Sequence, residues 1–88
     1  MPEFLIEREI PGAGKMTESQ LRDAALNSIG VTKELGEIRW ILSYVTDDKV
    51  YCVYWALDEE IILEHSRRIG APANRISAVR SLLDSSSF

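Results

Sequence analysis

Few residues in this chain have side chains suited to chemistry, and most of those stand alone. His65 is the only histidine and Cys52 the only cysteine. Imidazole and thiolate are good ligands for a borderline transition metal, and their softness favours nickel, zinc or copper over magnesium. From spacing alone the plainer reading is a buried histidine bonded to a backbone carbonyl beside an inert core thiol. Glu7 and Glu9 alternate with Phe4 and Ile6, which places them on the opposite face of a strand. A carboxylate closed over by a second copy would be desolvated and become a candidate acid, base or metal ligand. The competing expectation is a salt bridge to Arg8, Arg39 or Arg80. Asp47 and Asp48 could hold a cation, although paired aspartates are commoner as turn formers. Gly12-Ala13-Gly14-Lys15 stands where a phosphate-binding loop would. It lacks the glycine required where Glu9 stands and the hydroxyl required where Met16 stands, so it reads as a structural turn. With one histidine there is no base to activate a serine or cysteine nucleophile, and hydrolytic triad chemistry is disfavoured.

The elements that must position these residues follow from hydrophobic periodicity. Ile38 to Ala56 reads as a hairpin turning at Asp47-Asp48, rich in β-branched and aromatic residues on both arms. With a two-residue loop, Trp40, Leu42, Tyr44, Tyr51, Val53 and Trp55 share one face. Ile41, Ser43, Val45, Val50, Cys52 and Tyr54 line the other. Pro2 to Ile10 reads as a first strand, with Phe4, Ile6 and Ile10 on one parity. Thr17 opens a helix through a capping box with Gln20, and Met16 and Leu21 are placed as a hydrophobic staple. A small-residue stripe, Leu21, Ala25, Ser28, Thr32 and Leu35, follows, and Gly36 ends the helix. Gly30 weakens its middle by about 1 kcal/mol relative to alanine. Asp58 caps a second helix with Glu59 and Glu60 in its first turn and Arg67 and Arg68 in its last, each sign at the favoured end of the dipole. Ile62, His65 and Ile69 share its inward face. Ile76 to Leu83 reads as a last strand starting at Arg75.

This β-α-β-β-α-β order is that of an α+β, ferredoxin-like fold: an antiparallel sheet with two helices on one face. The expected organisation is a single domain over residues 1–84 and a frayed tail over 85–88. Trp40, Tyr44, Tyr51 and Trp55, at roughly 150–250 Å² each, would together exceed the largest apolar patch of a typical monomer, about 300–600 Å². The expectation is a homodimer packed sheet to sheet, a dimeric α+β barrel-like arrangement with those six hairpin residues in its interface. The 88 residues carry a net charge of −4 with dispersed basic side chains, which argues against nucleic acid as a partner. Apolar runs are too short to cross a bilayer and the N-terminus lacks signal-peptide features, so a cytoplasmic protein without a membrane partner is expected.

The blocks FLIEREIPGAGK (4–15), SYVTDDKVYCVY (43–54), DEE (58–60), EHSRR (64–68) and PANRIS (72–77), in this order along nearly the whole chain, resemble the family of short nickel-binding ferredoxin-like proteins. The resemblance implies a ferredoxin-like dimer that binds nickel, with His65, Cys52 and Glu7 at family-motif positions. The chain departs from the family where Leu57 replaces a usual proline, and where Ala71 and Asn74 replace a bulky aromatic and an acid. Loss of a carboxylate at Asn74 would weaken a cation site that used it, and the smaller Ala71 would leave a pocket beside the second helix. The functional expectation is a small non-enzymatic nickel-handling or nickel-responsive homodimer with His65 as the leading ligand. The alternatives are a dimeric barrel enzyme, isomerase- or monooxygenase-like, holding a small organic ligand in the dimer cleft, and an interaction module that binds another protein.

Overall fold

The hairpin forms β2 (Ile38–Val45), an edge strand, and β3 (Lys49–Ala56), an interior strand, in a computed structural model that describes residues 1–87. Around it lie β1 (Glu3–Glu9), α1 (Glu18–Leu35), α2 (Glu59–Ile69) and β4 (Arg75–Ala78). The sheet order is β2-β3-β1-β4 and every pairing is antiparallel. The core lies between the sheet and the helices: Phe4, Ile6, Ile38, Cys52, Tyr54 and Ala56 from the strands and Ile62 from α2 are buried together.

Local signals explain the boundaries. Thr17 Oγ1 accepts the Gln20 N–H at 3.1 Å and Gln20 Oε1 accepts the Thr17 N–H at 2.9 Å, the expected capping box. α1 runs unbroken through Gly30 and is capped by Gly36. Asp58 Oδ1 accepts the Ile61 N–H at 3.0 Å, and Gly70 ends α2 with φ 76°, a left-handed conformation that glycine adopts without a Cβ penalty. The turn at Gly12 to Lys15 is a single 3₁₀ turn held against the hairpin tip. Gly14 N–H donates to Asp47 O and Gly12 N–H to Asp48 Oδ1, both at 2.9 Å. A Cβ at Gly14 would stand 2.9 Å from Asp47 Cα, so only glycine fits against that backbone.

Two expectations are corrected. The hairpin keeps the two-residue register from Val45↔Val50 to Leu42↔Val53, but a bulge then brings Trp40 opposite Tyr54. The extra residue, Ile41, reverses the parity of everything before it. Trp40 therefore faces the helices and packs against the core, while Leu42, Tyr44, Tyr51, Val53 and Trp55 stay on the open face. The last strand is also shorter than residues 75–83. Val79 N–H makes its final ladder bond to Glu3 O at 2.9 Å, and β1 has no residue beyond Glu3 to continue the pairing. Leu82 and Leu83 consequently lie exposed. Within the tail, Ser85–Ser87 form a 3₁₀ turn closed onto Asp84, and residue 88 lies outside the described residues.

Candidate functional site

Alternation along β1 sends Glu7 and Arg8 to opposite sides of the sheet. Glu7 pairs across the open face with Tyr51 and Arg75. It meets Lys49 Nζ at 2.7 Å rather than any of the three arginines expected as partners. The lysine hydrogen bond holds the Glu7 carboxyl below the usual carboxylate range and raises the Lys49 ammonium in turn. A hollow of about 280 Å³ beside them is lined by Leu5, Glu7, Tyr51, Arg75 and Ser77.

Arg8 faces inward and is 2% exposed. Nη1 donates to Ser66 Oγ at 2.8 Å and to the Pro72 carbonyl at 2.9 Å. Nη2 reaches the Tyr54 hydroxyl at 3.4 Å, and Nε points at Cys52 Sγ at 3.5 Å. Cys52 also receives the Ser43 hydroxyl at 3.0 Å, and Ser43 Oγ in turn accepts the Trp40 Nε1–H at 2.9 Å. None of the salt bridges among the described residues involves Arg8. Sequence reasoning missed this residue as an interior group and treated it as a partner for the glutamates. Its parity with Phe4, Ile6 and Ile10 was the signal that placed it inside.

His65 is fully buried on α2, its ring edge-on to Tyr54 with centroids 5.2 Å apart. Nε2–H donates to the Ser28 carbonyl at 3.2 Å, with Ser28 Oγ at 3.3 Å. This fixes the tautomer that leaves Nδ1 a bare acceptor, and Nδ1 is the one buried side-chain polar atom without a partner among the described residues. Burial pushes the imidazole below its ordinary value; the Ser28 carbonyl opposes that shift and the Arg8 charge adds to it. Burial likewise raises the Tyr54 phenol.

Between α1 and the sheet, a cleft of about 300 Å³ opens beside these groups. The first half of α1 lines it with Leu21, Ala24 and Ala25, and Ala71 borders it next to Ile69, where the sequence led us to expect room beside the second helix. Asn74, the other departure, spends its Oδ1 on the Glu9 N–H at 2.6 Å. At the hairpin tip, Asp48 caps the Gly12 turn, in keeping with a structural role.

One chain does not gather a coordination set for nickel. Glu7 lies on the open face, whereas Cys52 and His65 lie on the helix side. No group of three or more His, Cys, Asp or Glu side chains is placed to hold a metal among the described residues. The Arg8 charge beside the Cys52 sulfur further disfavours a cation there. Within one chain, the residues present do not fit a resident nickel ion.

A four-stranded antiparallel sheet in this order, with two helices covering one side, defines the ferredoxin-like α+β class. The chain belongs to the family of SCO4226-like nickel responsive proteins, whose family model matches residues 4–79. Its fold is similar to the crystal structure of SCO4226 from Streptomyces coelicolor A3(2), with a TM-score of 0.79 and 19% identity over 92% of this chain and 99% of that one. At that identity the likeness speaks for the fold alone. No curated protein matches the chain.

Proposed function

We propose that this chain is a cytoplasmic, non-enzymatic nickel-responsive homodimer that holds its metal between or across two copies. The observation that carries the reading is the family match over residues 4–79, to proteins described as nickel responsive. The need for a second copy has its own support on the open face. Tyr44 is 63% exposed and Trp55 40%, with Leu5 and Leu42 beside them, an apolar surface that no element covers among the described residues. Sheet-to-sheet packing through Leu42, Tyr44, Tyr51, Val53 and Trp55 buries that surface and brings the Glu7 of each copy to the interface. Glu7 is the candidate ligand that dimerisation joins to donors of the partner. His65 is a separate candidate on α2: its bare Nδ1 supports it as a donor, but it lies with Cys52 on the helix side, away from that interface, where the Arg8 charge opposes a cation.

The test is a calorimetric titration of chelator-stripped protein with nickel and with zinc, comparing wild type with His65→Ala and Glu7→Gln. The expected result is micromolar or tighter nickel binding that at least one substitution weakens tenfold or more. Wild-type protein that takes up no nickel would overturn the reading and turn attention to the hollow beside Glu7 as a small-molecule pocket enclosed by the second copy.

A further inference from the structure

Arg8 is a cation at the floor of the cleft with only neutral groups and a sulfur around it. A buried charge is stable when it is paired as well as hydrogen-bonded. Its four hydrogen bonds go to a hydroxyl, a carbonyl, a phenol and the Cys52 sulfur, which leaves one of the five guanidinium N–H groups without an acceptor. His65 cannot supply the missing negative charge, and no carboxylate pairs with Arg8 among the described residues. The floor also carries the hydroxyls of Ser28, Ser43 and Tyr54, and the walls are apolar, from Leu21, Ala25, Val45 and Ile69 with the Trp40 indole. The volume, about 300 Å³, lies at the lower end of small-molecule sites, roughly 300–1,000 Å³.

We propose that this cleft binds a small aryl monocarboxylate, with its carboxylate at Arg8 and its ring against Trp40 and the apolar wall of α1. The single positive charge selects a monoanion. The planar guanidinium suits a carboxylate, which accepts charge-assisted hydrogen bonds from it. The apolar walls favour a carbon body over a hydrated inorganic ion. The Tyr54 hydroxyl beside Arg8 can donate to the same carboxylate, whereas the Ser43 hydroxyl proton is spent on Cys52 Sγ. This site lies on the helix side of the sheet, apart from the open face on which dimerisation and Glu7 are placed, and its occupancy does not depend on nickel.

Phenylacetate and its neutral amide, phenylacetamide, are the probes, titrated into wild-type protein in the presence of chelator. Binding is read by calorimetry and by the shift of the Arg8 Nε–H resonance in NMR spectra. The expected result is saturable binding of phenylacetate that moves the Arg8 resonance, with the amide at least tenfold weaker. Because Arg8→Met removes a partner of several buried groups and can fail to fold, Ala25→Trp provides the second variant. It fills the cleft from α1 with Arg8 intact, and it should abolish binding. The proposal is overturned by the absence of saturable phenylacetate binding, by equal binding of acid and amide, by binding that survives Ala25→Trp, or by inorganic phosphate binding as tightly as phenylacetate.

Discussion

His65 has its Nε2 proton committed to the Ser28 carbonyl, Tyr54 against its ring and the Arg8 charge nearby. Burial, with the Arg8 charge, outweighs the Ser28 carbonyl and favours the neutral imidazole, so its folded pKa lies below the ordinary value of 6.5. Between that ordinary value and the lower folded one, the unfolded chain binds more protons than the folded chain, and stability must fall as pH drops through the window. Glu7 and Glu64 act in a different range. Their folded pKa values are depressed, Glu64 to about 2 by its bonds to Arg67 and Arg68, so their contribution is lost only on further acidification. Urea midpoints measured from about pH 7 to about pH 5 should therefore decline in wild type and stay nearly flat in His65→Gln. An equal slope in both proteins would contradict the assignment. At this scale the sequence was only partly legible. The histidine's inward face and its carbonyl bond could be read from Ile62 and Ile69 around it. The burial of Arg8 was encoded in the β1 parity, yet charge made it look like a surface partner for glutamate.

The hairpin and the Gly12 turn behave as one unit, tied by three backbone and side-chain bonds across Ile10, Gly12 and Gly14 to Asp47 and Asp48. Gly14→Ala forces a Cβ into the Asp47 backbone, a clash that should cost about 1–3 kcal/mol, as overpacking does. Thermal or urea unfolding reads the loss, and a variant as stable as wild type would mean the tip moves freely. The two-residue turn was legible because Asp47 and Asp48 interrupt an otherwise apolar run. The bulge at Ile41 was not: one inserted β-branched residue in a strand of such residues leaves no mark, and it decides the face of Trp40. The end of β4 was equally hidden. Val79, Leu82 and Leu83 continue an apolar pattern, but a strand is limited by its neighbour, and β1 begins at Glu3.

For the whole molecule, the covered and uncovered sides of the sheet set the main consequence. The helix side holds the core and the Arg8 cleft, while the open side presents Tyr44 and Trp55 to solvent. The double substitution Tyr44→Ser and Trp55→Ser should leave the fold intact, since neither side chain belongs to the core cluster. It should also shift sedimentation from dimer to monomer at micromolar protein. A variant that stays dimeric would place the interface elsewhere. Fold class was legible from element order because each cap and turn agreed with it. His65 and Cys52 lie on the helix side of the sheet and Glu7 on the open side, as strand parity implied, so no single site joins the three within one chain.

Size-exclusion chromatography of chelator-stripped protein reloaded with nickel, with elemental analysis of each fraction, tests the nickel-responsive dimer most directly. The account predicts that nickel co-elutes with a species of twice the 9.9 kDa chain mass. A metal-free species at the mass of a single chain would contradict it.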